Sequence, residues 1–318
     1  MSRPYLLYCS ALLLLFGFLS YSAILTKSPT FDEPAHICSS YIALHDGDFS
    51  VEPDHPPLWK YWAALPLLTT PFNANTNTPI FHRIPFQADT EFPWSVGTLF
   101  QTPENNTPFI INSTRFMMLL IALALGATIA LFTHHLAGPL AACIATTLFA
   151  LDPNFLAHAS LVKNDVALAA TYTALTYTLY LICQHLTPLR LLSLILLTTA
   201  CVTTKLTGLL AAPLVVAVLL TRAFQSTPWP LRYPLSSILY PLSSRRSRLL
   251  LTLTLSALCF LTTYAGIWSV YRFRFNPSPD PAVHYDTQQF LTRAAKGDLL
   301  ATLHRNYATA AEFNAWKP

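Results

Sequence analysis

Charge is what this sequence has least of. Asp, Glu, Lys and Arg supply 11% of its 318 residues, where soluble globular domains carry about 25%. With 53% hydrophobic residues, the composition excludes an ordinary water-soluble enzyme and points to a membrane protein. Disulfide and thiolate-metal chemistry are also missing. Cys9, Cys143, Cys183, Cys201 and Cys259 fall within apolar runs, only Cys38 lies in a loop between such runs, and there is no C-x-x-C pair. Nor is there a dense basic run. The net charge of +4 comes from residues that are dispersed or flank apolar segments, so nucleic acid is not an expected partner. No internal repeat is present. Residues 5–25 are too long an apolar run for a signal peptide and lack a small-x-small cleavage site before Asp32, so they read as a retained span.

What is abundant is apolar sequence in membrane-sized pieces. Runs at 5–25, 115–134, 137–151, 166–186, 189–204, 206–221 and 249–269 approach or reach the length needed to cross a bilayer. The expected fold class is therefore all-α, a multi-pass transmembrane helical protein with about seven spans and a long outer loop carrying short juxtamembrane helices. The expected division is a transmembrane domain over 1–270, with its first outer loop at 26–114, and an outer polar segment over 271–318. Acids are absent from 184–190 and 222–248, which carry Arg190, Arg222, Arg232, Arg245, Arg246 and Arg248. The acids all fall in 26–114, 152–165 and 270–318. Short basic loops mark the cytoplasmic side, which places the acid-rich segments outside. The stretch 70–114, rich in Asn, Thr and Pro, reads as irregular surface; Asn105 and Asn112 within it sit in N-x-T patterns.

Titratable chemistry concentrates in Thr30–Lys60, which holds six acids (Asp32, Glu33, Asp46, Asp48, Glu52, Asp54) and three histidines (His36, His45, His55). Pro34 suits the first turn of a helix, which would run to about His45, where D-G-D marks a turn. On it Asp32 and His36 share a face. H-P-P at 55–57 forces an extended entry into a short helix starting near Leu58. The plain alternative is that Asp32 and Glu33 are helix-capping acids.

A first span, then D-E-P-A-H, G-D-F and H-P-P-L-x-K resembles the start of membrane glycosyltransferases of the GT-C type that use polyprenyl-phosphate sugars. This group includes protein O-mannosyltransferases and the lipid A aminoarabinose transferase. The resemblance covers roughly 5–270 and is sharpest at 31–67 and 152–208. It implies an inverting transfer from a lipid-phosphate sugar to a protein or glycolipid acceptor on the non-cytoplasmic face, in a bacterial inner membrane. It also implies that Asp32 is the catalytic base and that Asp165 is a second carboxylate facing the base; Glu33, about 100° away from Asp32 on the same turn, is expected to brace the loop against Lys60 or Arg83. His36, His55, His158 and Lys163 would border the same cavity. Members of the family normally continue with several more spans, so the resemblance implies that this chain is short at its C-terminus.

Two further signals stand on their own residues. Lys205, in T-T-K-L-T-G-L-L, interrupts an apolar region, where a lysine is costly unless it is paired or faces water. A lipid phosphate is one natural partner, and an interfacial snorkelling lysine the other reading. Arg272 and Arg274 alternate with aromatics just past a span, placed for a lipid head group or as boundary anchors. The absence of G-x-G-x-x-G argues against a nucleotide-sugar donor. No cofactor is expected. A divalent cation on Asp32, Glu33, Asp165 or His55 is chemically open, but the family resembled does not generally need one. A transporter or flippase using Asp32 and Asp165 for a coupling ion is the main alternative, although its paired broken helices are not visible. A non-catalytic truncated homologue is the other.

Overall fold

The structure, a computed structural model, describes residues 3–85, 90–232, 242, 244–281 and 283. Amphipathic helices expected within 286–315 lie outside the described residues. Those described are helical with no strand: α1 (Arg3–Ile24), α2 (Glu33–His45), α3 (Leu58–Ala64), α4 (Glu91–Phe100), α5 (Thr107–Leu151), α6 (Pro153–His158), α7 (Asn164–Gln184), α8 (Pro188–Thr204), α9 (Ala211–Phe224) and α10 (Arg245–Val270), with short 3-10 turns between some of them. They form two compact units, Met1–Thr26 with Met118–Val270 and Lys27–Met117 with the segment from Tyr271 on.

In the first unit every expected apolar run is helical. Five stretches are long and apolar enough to cross a membrane: Pro4–Ile24, Thr107–Leu151, Asn164–Gln184, Leu206–Phe224 and Arg245–Val270. This is the signature of an integral membrane protein. The expected count was about seven. Two runs join in α5 and α8 has only 17 residues, so length and composition support five. Within α5, Gly138 takes φ 85 and ψ −172, a left-handed excursion open to glycine. Pro139 follows, which cannot donate to the preceding turn and suits the start of a new helix. The chain folds back there, and Leu119, Leu125, Phe149 and Ala150 from both arms enclose Phe16 in one core.

Outward-facing side chains are apolar. Leu14, Phe18, Leu140, Leu148, Leu196, Leu253 and Phe260 are all more than half exposed, which suits a lipid solvent better than water. The many threonines are tolerated because their hydroxyls fold back. Thr128, Thr133, Thr147, Thr176, Thr203 and Thr262 each donate to the carbonyl four residues earlier, leaving no polar group needing water.

Arginines close the helix ends on one side of this unit. Arg222 donates to the carbonyls of Cys183, Thr227 and Pro228. Arg248 donates to those of Ala223, Leu242 and Gln225, and Arg190 to those of Leu181 and His185. These are C-terminal carbonyls of α7 and α9 and their following turns, which otherwise lack partners. At the opposite end, between α8 and α9, Gly208 lies flush against the Cys201 backbone, and an added Cβ would overlap the Cys201 carbonyl. Gly208→Ala is expected to destabilise the protein by at least the ~1–3 kcal/mol of an overpacked site. An unchanged thermal midpoint in detergent would show that this junction relaxes freely.

In the second unit α2 packs on α3 and α4. The bounds of α2 and α3 agree with Pro34, D-G-D and H-P-P as local signals. The stretch 70–114 differs from the irregular surface expected. It contains α4, whose Trp94 and Leu99 are buried. Asn105 is buried too: it accepts from Asn73 N at 2.8 Å and donates to the carbonyls of Asn73 and Thr98 at 2.9 and 2.8 Å. Its amide is a structural clasp that no glycosylating enzyme reaches in the folded chain. Cys38, expected in a loop, is fully buried in α2, and all six cysteines are free thiols.

Candidate functional site

The D-E pair at the head of α2 divides its labour. Glu33 is fully buried. Arg115 grips it bidentately, Nε to Oε1 at 2.9 Å and Nη2 to Oε2 at 2.7 Å. The Thr30 amide and hydroxyl donate to Oε2 at 2.8 and 3.2 Å. Arg115 also donates to the carbonyls of Lys27 and Ser28 at 3.1 and 3.2 Å. The loop 27–30 is thus pinned to α5 through one carboxylate. The partner of Glu33 here is Arg115, where Lys60 or Arg83 was expected. Asp32, one residue earlier, is exposed. It occupies the N-cap position with φ −81 and ψ −23, and its side chain makes no cap hydrogen bond. Beside it, exposed Phe31 stacks on Phe92 at 4.1 Å.

His36 turns away from this acid into the unit's interior. Its Nδ1 lies 2.5 Å from Glu52 Oε1, both side chains being 7% exposed. The two atoms are close without being aligned as donor and acceptor. Its ring meets His55 and Trp59 edge-on at 5.1 and 5.3 Å. Glu52 Oε2 accepts from the Ser39 hydroxyl at 2.6 Å and sits 3.4 Å from Lys60 Nζ. Lys60 also donates to the carbonyls of Val51 and Glu52 at 3.4 and 3.1 Å. The Glu52 amide donates to Glu91 Oε2 at 3.1 Å. Glu52 holds φ 51, a left-handed conformation costly for a side-chain-bearing residue and a recurrent mark of functional sites. A small cleft opens onto Glu52, His55 and Lys60, with Phe49, Val51 and Tyr271 among its walls.

The electrostatics of this cluster follow from burial and its mixed charges. Burial alone would raise the Glu52 carboxyl, but Lys60, His36 and His55 outweigh it and hold the group at about 2. Burial, with the charge of Glu52, pushes Glu91 up to about 7. Burial lowers Lys60 against the pull of Glu52 and Glu91. It likewise lowers His55, helped by Lys60 and His36.

Other expected residues fall elsewhere. In the first unit Lys205 Nζ meets Asp165 Oδ1 at 2.5 Å, with side chains 31% and 62% exposed. Lys163 and His158 lie within electrostatic reach of the same carboxylate. Asp165 does not cap α7, since the N-cap residue is Lys163. The partner Lys205 finds within the chain is Asp165. Arg272 and Arg274 spend hydrogen bonds on the end of α2. Arg272 donates to the carbonyls of Ala43 and Leu44 at 3.2 and 2.5 Å, and Arg274 to that of Gly47. Asp48 accepts from Ser278 at 2.5 Å.

Glu52, Lys60, Glu91 and Arg115 were not expected as site residues. Glu52 and Lys60 stood within the acid-rich stretch, and only their burial singles them out. Arg115, a charge at the head of an apolar run, was the available signal for a buried partner. Comparisons with known families, curated proteins and solved structures find no match.

Proposed function

We propose that this protein is an inverting glycosyltransferase that takes a sugar from a polyprenyl-phosphate donor within the bilayer. The observation that carries the reading is the D-E pair: an exposed Asp32 whose neighbour is locked into a buried arginine clamp. A general base needs a carboxylate that is accessible yet held in place, and this arrangement supplies one directly after an apolar helix. In the reaction Asp32 takes the proton of an acceptor hydroxyl or amine as that atom bonds to the anomeric carbon. The bond from that carbon to the phosphate oxygen breaks, and its electron pair leaves with the polyprenyl phosphate. A cation at the phosphate would stabilise the developing charge. We assign Lys205 to the donor phosphate, which would displace Asp165 from it.

In this reading α8 and the two arms of α5 also cross the membrane, giving seven spans. The arginine-closed helix ends face the cytoplasm and the Asp165–Lys205 end faces outward, in a bacterial inner membrane. The motif resemblance at 31–67 and the apolar helices support it.

The test is transfer activity in membranes supplied with a panel of polyprenyl-phosphate sugars, with nucleotide sugars as controls. Turnover from a lipid-phosphate sugar alone is the expected result, and its absence with every donor would remove the proposal. Within that assay, Lys205→Ala is expected to raise the KM for the donor roughly ten- to a hundredfold, the equivalent of one charge-assisted contact of about 1.5–3 kcal/mol. An unchanged KM would return Lys205 to a structural partner of Asp165.

A further inference from the structure

We propose that His36, Glu52 and His55 bind a divalent transition cation of the zinc class. One ligand atom from each lies within 4.8 Å of the others. Zinc bonds of about 2.1 Å bring tetrahedral ligands to about 3.4 Å apart, so a modest swing of His55 and an opening of the His36–Glu52 contact complete the set. The inference does not rest on the glycosyltransferase reading.

Three features of the cluster favour an ion. His36 Nδ1 and Glu52 Oε1 already face each other as a buried pair at 2.5 Å, a contact that opens toward ligand spacing when a cation enters. The second Glu52 oxygen is already engaged by Ser39 and Lys60, which orients the carboxylate and leaves Oε1 for the metal, the outer-shell support that bound metals need. The backbone of Glu52 takes a left-handed conformation, φ 51, of the kind that recurs at functional sites.

Ligand type narrows the ion. Two imidazoles and one carboxylate suit Zn²⁺ or its transition-metal neighbours, whereas Mg²⁺ and Ca²⁺ prefer oxygen. Three protein ligands leave a fourth position open, as in catalytic zinc sites, and Glu52 and His55 both border the cleft. Of the other groups open to a cation beside His55, Glu33 is engaged by Arg115 and Thr30, and Asp165 is paired with Lys205.

The test uses the purified full chain in detergent, stripped with a chelator and titrated with Co²⁺ as a spectroscopic probe. One Co²⁺ per chain with the visible absorption of a four-coordinate site is expected, displaced by Zn²⁺ and not by excess Mg²⁺. His55→Ala, at a half-buried side chain, is expected to weaken binding by more than the roughly 10–100-fold typical of losing an outer-shell partner, with circular dichroism unchanged. Where a variant fails to fold, zinc-edge X-ray absorption on the wild-type chain decides by counting imidazoles. Two support the site; one or none overturns it. Absence of Co²⁺ binding, or equal binding by His55→Ala, also overturns it and leaves His36 and Glu52 as a plain ion pair.

Discussion

Asp32→Asn is expected to lower sugar transfer by roughly 10²–10⁴-fold, the contribution of a general base, with the protein still folded and inserted. The amide keeps the shape of the side chain and loses its basicity. Structural damage should be small because Asp32 is exposed. The loss should therefore fall on kcat, with donor KM little changed. Glu33→Gln serves as the contrast. It touches the clamp on Arg115, so its first effect should be on stability and its effect on rate smaller. Near-full transfer by Asp32→Asn with a dead Asp165→Asn would move the base to Asp165. Near-full transfer by both would dismiss base catalysis by either carboxylate.

Arg115→Met is expected to destabilise the protein by about 3–5 kcal/mol, because it strands a buried carboxylate. Glu33 is fully enclosed and Arg115 is 1% exposed, so no water is available to replace the guanidinium. The carbonyls of Lys27 and Ser28 lose their donors in the same step. Arg115→Lys should recover only part of the loss, since an ammonium cannot make the two parallel contacts seen at 2.9 and 2.7 Å. The Glu33→Met, Arg115→Met double variant should be more stable than Arg115→Met alone, because no charge is left unpaired. Thermal unfolding in detergent reads all three. If Arg115→Met melts with the wild type, the clamp is not what holds the head of α2.

The sequence by itself determined what acts over a few residues. Apolar runs specify membrane-length helices, because a bilayer leaves the backbone no partner but itself. Pro34 and D-G-D bound α2, and H-P-P precedes α3, through backbone restrictions of one or two residues. Gly138-Pro139 breaks α5 for the same reason. The acid-rich stretch was visible, as was Lys205 as a charge in need of a partner. Only the tertiary structure decided which groups are partnered, and with whom. Arg115 and Glu33 are 82 residues apart, and Lys205 and Asp165 are 40 apart. Periodicity and turn chemistry carry no information over such separations. Asp32 and Glu33 are adjacent and chemically alike, yet one is exposed and the other enclosed, because α5 brings Arg115 to one of them alone. His36 shares a helical face with Asp32 and still points at Glu52, since a side chain's neighbours are set by what packs against the helix. Burial, which turns Glu52, Lys60 and Glu91 from ordinary charges into a coupled cluster, comes from the packing of whole elements and is written in no single stretch of the chain.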